Sequence, residues 1–355
     1  MASASSGHSA ICAEVARAEE LDRSGEHAAA LDQLVAGVRK GDVEATTRLG
    51  KRLLIGAGAP LLPNDGARLI EDASAQGGAE AAAVLAVLFA IGASRNHTLA
   101  AALDTLVVAA ERGWAPAQAQ LRVLAADAIG EREPAQSESW RDVAARVDLA
   151  AWTAVPPATD LSSSPLIRSY PRFLSAGVCE WLIGKAHGRL GRALVYEALS
   201  KEVMAHPTRT NTAASFNMLE TDVVCVLTQL RMAAALQVSF RQFEPITVLH
   251  YDPGEEITEH FDFVDPEVPD YTQQIAERGQ RIVTFLVYLN DDYAGGETQF
   301  PRLGVSRKGV RGEGLFFVNA LEDGSADTRT LHAGRTPVDG EKWIVSQFVR
   351  NRRVF

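Results

Sequence analysis

The chain has 355 residues, 46% hydrophobic and 23% charged, with a formal net charge of −10 and a pI near 5.4. That length exceeds one ordinary core, so two globular domains are expected. The acidic balance excludes a protein whose main task is to coat nucleic acid with clustered Lys and Arg.

The N-terminal MASASSGHSA lacks the basic and apolar runs of a signal peptide, and no later stretch approaches the ~18 apolar residues of a membrane span. A cytoplasmic protein with neither a membrane nor a nucleic-acid partner is expected. Cys12, Cys179 and Cys225 are too few and too scattered for a disulfide framework or a cysteine-based zinc site.

From about residue 27 to 128 the sequence repeats at a constant step. Gly41, Gly77 and Gly113 fall in register, as do Ala45, Ala81 and Ala117, then Leu49, Leu85 and Leu121. The pairs Ile55-Gly56 and Ile91-Gly92 keep the same interval. Each unit reads as two helices, with the glycine closing the first in a left-handed cap and alanines letting the second pack closely. Such units bury their apolar faces only by stacking, so an all-α repeat domain over 1–155 is expected. It serves as a scaffold, a homodimer contact or a protein-recruiting surface, with His97 in a solvent-facing turn. A further helical stretch is expected over Ser137–Trp152. AVPPATDLSSSP then reads as a linker at 156–165.

The texture changes after that. ITVLHY, RIVTFLVYL, GETQF, GLFFVN and KWIVSQFV, the last ending at Val349, are short β-branched and aromatic runs punctuated by Gly, Pro and Asp. They predict a jelly roll over 166–355 with supporting helices, one of them Asp222–Leu236. The basic run Arg350–Arg353 is expected to be a solvated tail.

Within the β half lies YDPGEEITEHFDF. His260 and Asp262, one residue apart, point to the same face of an extended strand. Two imidazoles and one carboxylate on one octahedral face are what an oxygenase iron(II) requires, and His332 in TLHAG is the candidate third ligand. Lys342, at the start of a late strand, is a candidate buried cation for a carboxylate.

These words, with TRTN, GGETQFP and GEKWIVSQF, occur in the order and spacing of the prolyl 4-hydroxylase family, which the chain resembles from about residue 165 to 352. The resemblance implies a double-stranded β-helix and a 2-oxoglutarate-dependent dioxygenase using iron(II), 2-oxoglutarate and O2, with ascorbate as an accessory reductant. It assigns the metal to His260, Asp262 and His332. Lys342 and Tyr251 would hold the cosubstrate's C5 carboxylate, with Thr298 beside them. No catalytic residue beyond the ligands is implied, and retention of Asp262 points to hydroxylation rather than halogenation.

Substrate identity is less constrained. Ile257, Phe348, Asn211 and Thr247 stand where peptidyl-proline enzymes often carry Tyr, Trp, Ser and Gln. The favoured expectation is a proline-like or other free amino or imino acid, with Arg209, Arg281 and Glu244 meeting its charged groups. The alternative is a prolyl residue in a protein recruited through the repeats, and a third reading is a non-catalytic repeat adaptor. The polar run from Phe263 to Gln280 and the segment around Arg209 are expected to be mobile substrate loops.

Overall fold

The computed structural model describes residues 12–93, 98–129, 138–193, 195–197, 202–204 and 208–354. His97 and Ser137, both named above, lie outside the described residues. The chain divides into two compact units, Met1–Ala125 with Arg132–Val147, and Ala126–Glu131 with Asp148–Phe355.

The first unit is built from helices α1 (Ala13–Arg23), α2 (His27–Arg39), α3 (Val43–Ile55), α4 (Pro63–Ala75), α5 (Ala79–Ala90), α6 (Leu99–Glu111), α7 (Ala115–Ile129) as far as Ala125, and α8 (Trp140–Ala144). The spaced glycines do what their spacing predicts. Gly41, Gly77 and Gly113 have φ of +76°, +101° and +85°. In each case the next amide reaches back to close the helix: Asp42 to the Gly37 carbonyl at 3.1 Å, Gly78 to Ala73 at 2.9 Å, and Trp114 to Ala109 at 3.0 Å. This is the same C-terminal cap three times over.

The small residues in register are fully buried, Ala45, Ala81 and Ala117 each at 0% exposure. At the α3–α4 crossing the backbones come closer still. A Cβ on Gly66 would lie 2.7 Å from the Gly50 carbonyl oxygen, so only glycine fits there.

The expected helix over Ser137–Trp152 is instead two short helices, α8 and α9 (Leu149–Thr153), the second belonging to the second unit. Asp148 ends the first segment by capping the second, its side chain accepting from the Ala151 amide at 2.9 Å.

The second unit contains strands β1 (Thr159–Ser163), β2 (Leu166–Tyr170), β3 (Gly191–Arg192), β4 (Val195–Glu197), β5 (Glu202–Met204), β6 (Thr212–Phe216), β7 (Ile246–Tyr251), β8 (Ile257–His260), β9 (Arg281–Tyr288), β10 (Ala294–Gly295), β11 (Thr298–Phe300), β12 (Val305–Arg307), β13 (Gly314–Val318), β14 (His332–Gly334), β15 (Pro337–Asp339) and β16 (Lys342–Arg350). Helices α10 (Ala176–His187), α11 (Val223–Leu236) and α12 (Pro269–Arg278) complete it.

One sheet runs β1-β2-β13-β9-β16-β7-β6-β3 and the other β12-β11-β14-β8, the two-sheet arrangement of a jelly roll. The segment expected as a linker contributes an edge strand: Ser and Thr over 159–163 pair with β2, where their side chains tolerate solvent. Alternation then sorts the long strands. Leu249, Tyr251, Leu286, Tyr288, Phe317 and Ile344 meet in one core inside the two sheets. On the outer face, Gln229 of α11 donates to Gln347 of β16 at 2.7 Å.

Candidate active site

Strands β8 and β14 are antiparallel neighbours, with His332 directly opposite His260. Cross-strand pairs share a face, so the two imidazoles stand together, ring centroids 4.2 Å apart. Asp262, two residues past the His260 strand position, brings its Oδ1 to 3.5 Å from His260 Nε2 and its Oδ2 to 3.4 Å from His332 Nε2.

Each ring is oriented by the carbonyl two residues before it. His260 Nδ1 lies 2.8 Å from the Thr258 oxygen and His332 Nδ1 lies 3.0 Å from the Thr330 oxygen. A carbonyl only accepts, so Nδ1 carries the proton and Nε2 presents a lone pair to the shared centre. Phe300 and Phe317 hold the His332 ring at centroid distances of 5.5 and 4.7 Å.

The electrostatics agree with a ligand set. Burial, with His260 nearby, pushes the His332 imidazole down to about 4, against the pull of Asp262. Burial alone would push the Asp262 carboxyl up. His332, His260 and the Thr284 hydroxyl outweigh it and hold the group well below the usual carboxylate range. The centre brings together two imidazoles and one carboxylate, with ligand atoms within 4.8 Å of one another.

A second cross-strand pair lies in the large sheet, where Lys342 faces Tyr251. Lys342 is 1% exposed, its Nζ 5.1 Å from the Tyr251 ring centroid. Among the described residues no carboxylate lies within ion-pair distance of it. Burial lowers its pKa from 10.5 to about 8, with Glu297 pulling the other way. Burial also raises the Tyr251 phenol to about 12, so it remains a donor. Thr298, 3% exposed, accepts from the Tyr288 hydroxyl at 3.0 Å. Gly334 keeps the space open, since a Cβ there would sit 2.9 Å from Ile257 Cγ2.

Both pairs line a single cavity of ≈ 1090 Å³. Lys342 is deep within it. Phe348, six residues along the same strand and about 20 Å away at ~3.3 Å per residue, marks the other end. Ile257, Phe348 and Thr247 line this cavity, while Asn211 is buried outside the lining.

The candidate substrate residues divide differently from expectation. Arg209 does line the cavity, its Nε donating to Asn211 at 3.2 Å. Arg281 lines it too, stacked 3.8 Å over the Phe348 ring. Glu244 does not. It accepts two bonds from Arg281 at 2.7 and 2.8 Å and another from Arg350 at 2.7 Å. Burial pushes that carboxyl up, yet Arg281 and Arg350 keep it below its ordinary value.

Arg350 is therefore no solvated tail: it is 2% exposed and also donates to the Gly279 carbonyl. The expected loop after Asp262 contains helix α12, which brings Tyr271 and Gln274 to the cavity. Of the segment around Arg209, residues 200–201 and 205–207 lie outside those described.

Two residues went unread in the sequence. Thr284 donates to Asp262 Oδ2 at 2.7 Å, and Asn319 Nδ2 donates to Thr284 Oγ1 at 2.9 Å. Parity carried a signal, because Thr284 is a lone polar side chain at an interior position shared with Leu286 and Tyr288. A second group, His250, Asp252 and Glu255, also clusters ligand atoms. There His250 is already engaged by Thr212 at 3.1 Å and Glu341 at 3.2 Å.

Residues 246–350 match the model of the 2OG-Fe(II) oxygenase superfamily. Prolyl 4-hydroxylase 1 of Arabidopsis thaliana is 30% identical over 206 residues, covering 54% of this chain and 71% of the relative. The chain belongs to the prolyl 4-hydroxylase family.

Its other relatives include the probable prolyl 4-hydroxylase 7 of the same plant, 27% identical, with 54% of this chain and 64% of that protein covered. The prolyl 4-hydroxylase subunit alpha-1 of Gallus gallus is 31% identical over 168 residues, covering 47% of this chain and 32% of the subunit. Among solved structures, a viral collagen prolyl hydroxylase from Paramecium Bursaria Chlorella virus-1 aligns with a TM-score of 0.40 at 27% identity, covering 52% of this chain and 95% of that one.

As a member of this family, the chain is a 2-oxoglutarate-dependent dioxygenase whose cofactors are iron(II), 2-oxoglutarate and O2. Its donor set fits iron(II), and the buried, carboxylate-free Lys342 fits an anionic cosubstrate. Among the described residues no helix is long and apolar enough to cross a membrane.

Proposed function

We propose that the chain hydroxylates a prolyl residue within a polypeptide. In this reading His260, Asp262 and His332 hold the iron, Lys342 and Tyr251 hold the C5 carboxylate of 2-oxoglutarate, and Thr298 flanks that carboxylate. Iron(II) with 2-oxoglutarate and O2 supplies the oxidising power to replace an unactivated C–H hydrogen by hydroxyl. The protein positions the target bond above the triad and shields it from water.

The observation that carries the choice of substrate is the Arg281–Glu244–Arg350 cluster. A free amino acid needs an anion for its ammonium group and a cation for its carboxylate. Glu244 is committed to two guanidinium groups and lies outside the cavity lining, so it is unavailable for the first task. Arg281, neutralised by Glu244 and braced on Phe348, leaves a planar, fixed donor surface suited to a backbone carbonyl. The relatives' names, prolyl 4-hydroxylases throughout, support the same reading.

The test offers purified protein, iron(II) and 2-oxoglutarate a panel of proline-containing peptides beside free proline, pipecolate and basic amino acids, read by mass. A gain of one oxygen on a peptide prolyl residue is expected. Hydroxylation of a free amino acid with every peptide untouched overturns the proposal.

A further inference from the structure

His260 and His332 are fixed by their places in paired strands, whereas Asp262 lies in a bend beyond the end of β8. Nearby the chain is next held at Val264, whose amide and carbonyl both bond to the Gln280 side chain. The carboxylate therefore needs a brace of its own, and the large sheet supplies one.

Thr284 sits mid-way along β9, paired on one side with Phe317 and on the other with Phe348, so its backbone is fixed from both flanks. It is β-branched and 0% exposed, which leaves its hydroxyl little freedom. The Thr284 hydroxyl donates to the Asp262 Oδ2 at 2.7 Å. The threonine oxygen is then an acceptor, and Asn319 Nδ2 fills it. Asn319, also 0% exposed, is pinned by its amide donating to Ile282 at 2.7 Å. Each bond of the relay therefore joins one donor to one acceptor.

We propose that Thr284 and Asn319 form a positioning relay that presents the Asp262 carboxylate to the metal. The relay rests on the reading of His260, Asp262 and His332 as the metal triad. It gives the one ligand not carried on a strand a fixed orientation comparable to those of the histidines, and it ties that ligand to the opposite sheet. Its members are positioning residues and touch neither substrate nor cofactor.

The test is Mn(II) binding to the full chain, followed by the loss of the free-ion paramagnetic resonance signal, which needs no turnover. Thr284→Val keeps shape and removes the hydroxyl, and is expected to weaken Mn(II) binding about 10- to 100-fold, the usual cost of losing an outer-shell partner. Thr284→Ser restores the hydroxyl and is expected to bind within about threefold of the parent, since the relay's hydrogen bonds return. Asn319→Leu should weaken binding in the same direction, by less. His260→Ala serves as the control and should abolish binding. If His260→Ala binds Mn(II) as the parent does, the triad fails and the relay with it. If His260→Ala loses the metal while Thr284→Val and Asn319→Leu bind like the parent, the relay alone is overturned. A drop in melting temperature with unchanged Mn(II) affinity counts against it in the same way.

Discussion

Lys342→Met is expected to lose 2-oxoglutarate binding without losing the fold. The two effects separate because the lysine is costly in the free protein. Its folded pKa of about 8 lies below the ordinary 10.5, so between those values the unfolded chain binds more protons. Stability of the cosubstrate-free protein therefore rises as pH climbs through that window, and below it the folded state bears the full cost of a buried charge. Methionine has nearly the same length and no charge. The variant should be at least as stable as the parent near neutral pH, with a flatter stability profile from about pH 8 to 10.5.

The bound state reverses the balance. A C5 carboxylate beside Nζ would turn the unpaired cation into a buried ion pair, and breaking such a pair costs about 3–5 kcal/mol, a loss in affinity of roughly 100-fold or more. In the parent, the same logic makes 2-oxoglutarate affinity fall as pH rises through about 8, when the free lysine loses its proton. Calorimetric titration across that range, with Mn(II) in place of iron, checks both. Unchanged affinity in Lys342→Met would remove the lysine from the cosubstrate site.

The second large effect is expected at Asp262. Its carboxylate lies between the two imidazoles, and replacing it by alanine leaves two ligands where three are needed. Metal affinity should fall by more than about 100-fold, beyond the upper end of what disturbing an outer-shell partner costs. The Thr284 hydroxyl would also lose its acceptor, so a modest loss of stability is expected alongside. Direct metal titration of Asp262→Ala against the parent measures the first, and thermal unfolding the second.

Much of this was legible in the residues because the strongest signals were periodic or clustered. Evenly spaced glycines gave the repeat caps at Gly41, Gly77 and Gly113, since a left-handed turn leaves few alternatives. The one-residue gap between His260 and Asp262 gave a shared face. The register that sets His332 opposite His260 and Lys342 opposite Tyr251 was not readable, because pairing depends on which strands become neighbours.

The misreadings have a common source in tertiary pairing. Thr159–Ser163 looked like a linker because its residues are small and polar, yet an edge strand needs only backbone partners. Arg350 looked like part of a solvated tail because sequence shows charge and not its neutraliser. Glu244, 106 residues earlier in the chain, supplies it. The same pairing leaves Glu244 outside the cavity lining, while Arg281 remains in it. Thr284 and Asn319 were missed because a lone polar residue inside a strand is usually a satisfied core residue, and only the 2.7 Å bond to Asp262 distinguishes this one.

The most direct measurement is succinate formation from 2-oxoglutarate by the purified chain with iron(II), the parent beside His260→Ala. Turnover is expected in the parent and none above background in the variant, because one imidazole of the triad is gone. Full turnover by His260→Ala would contradict the assignment of His260, Asp262 and His332 as the iron site.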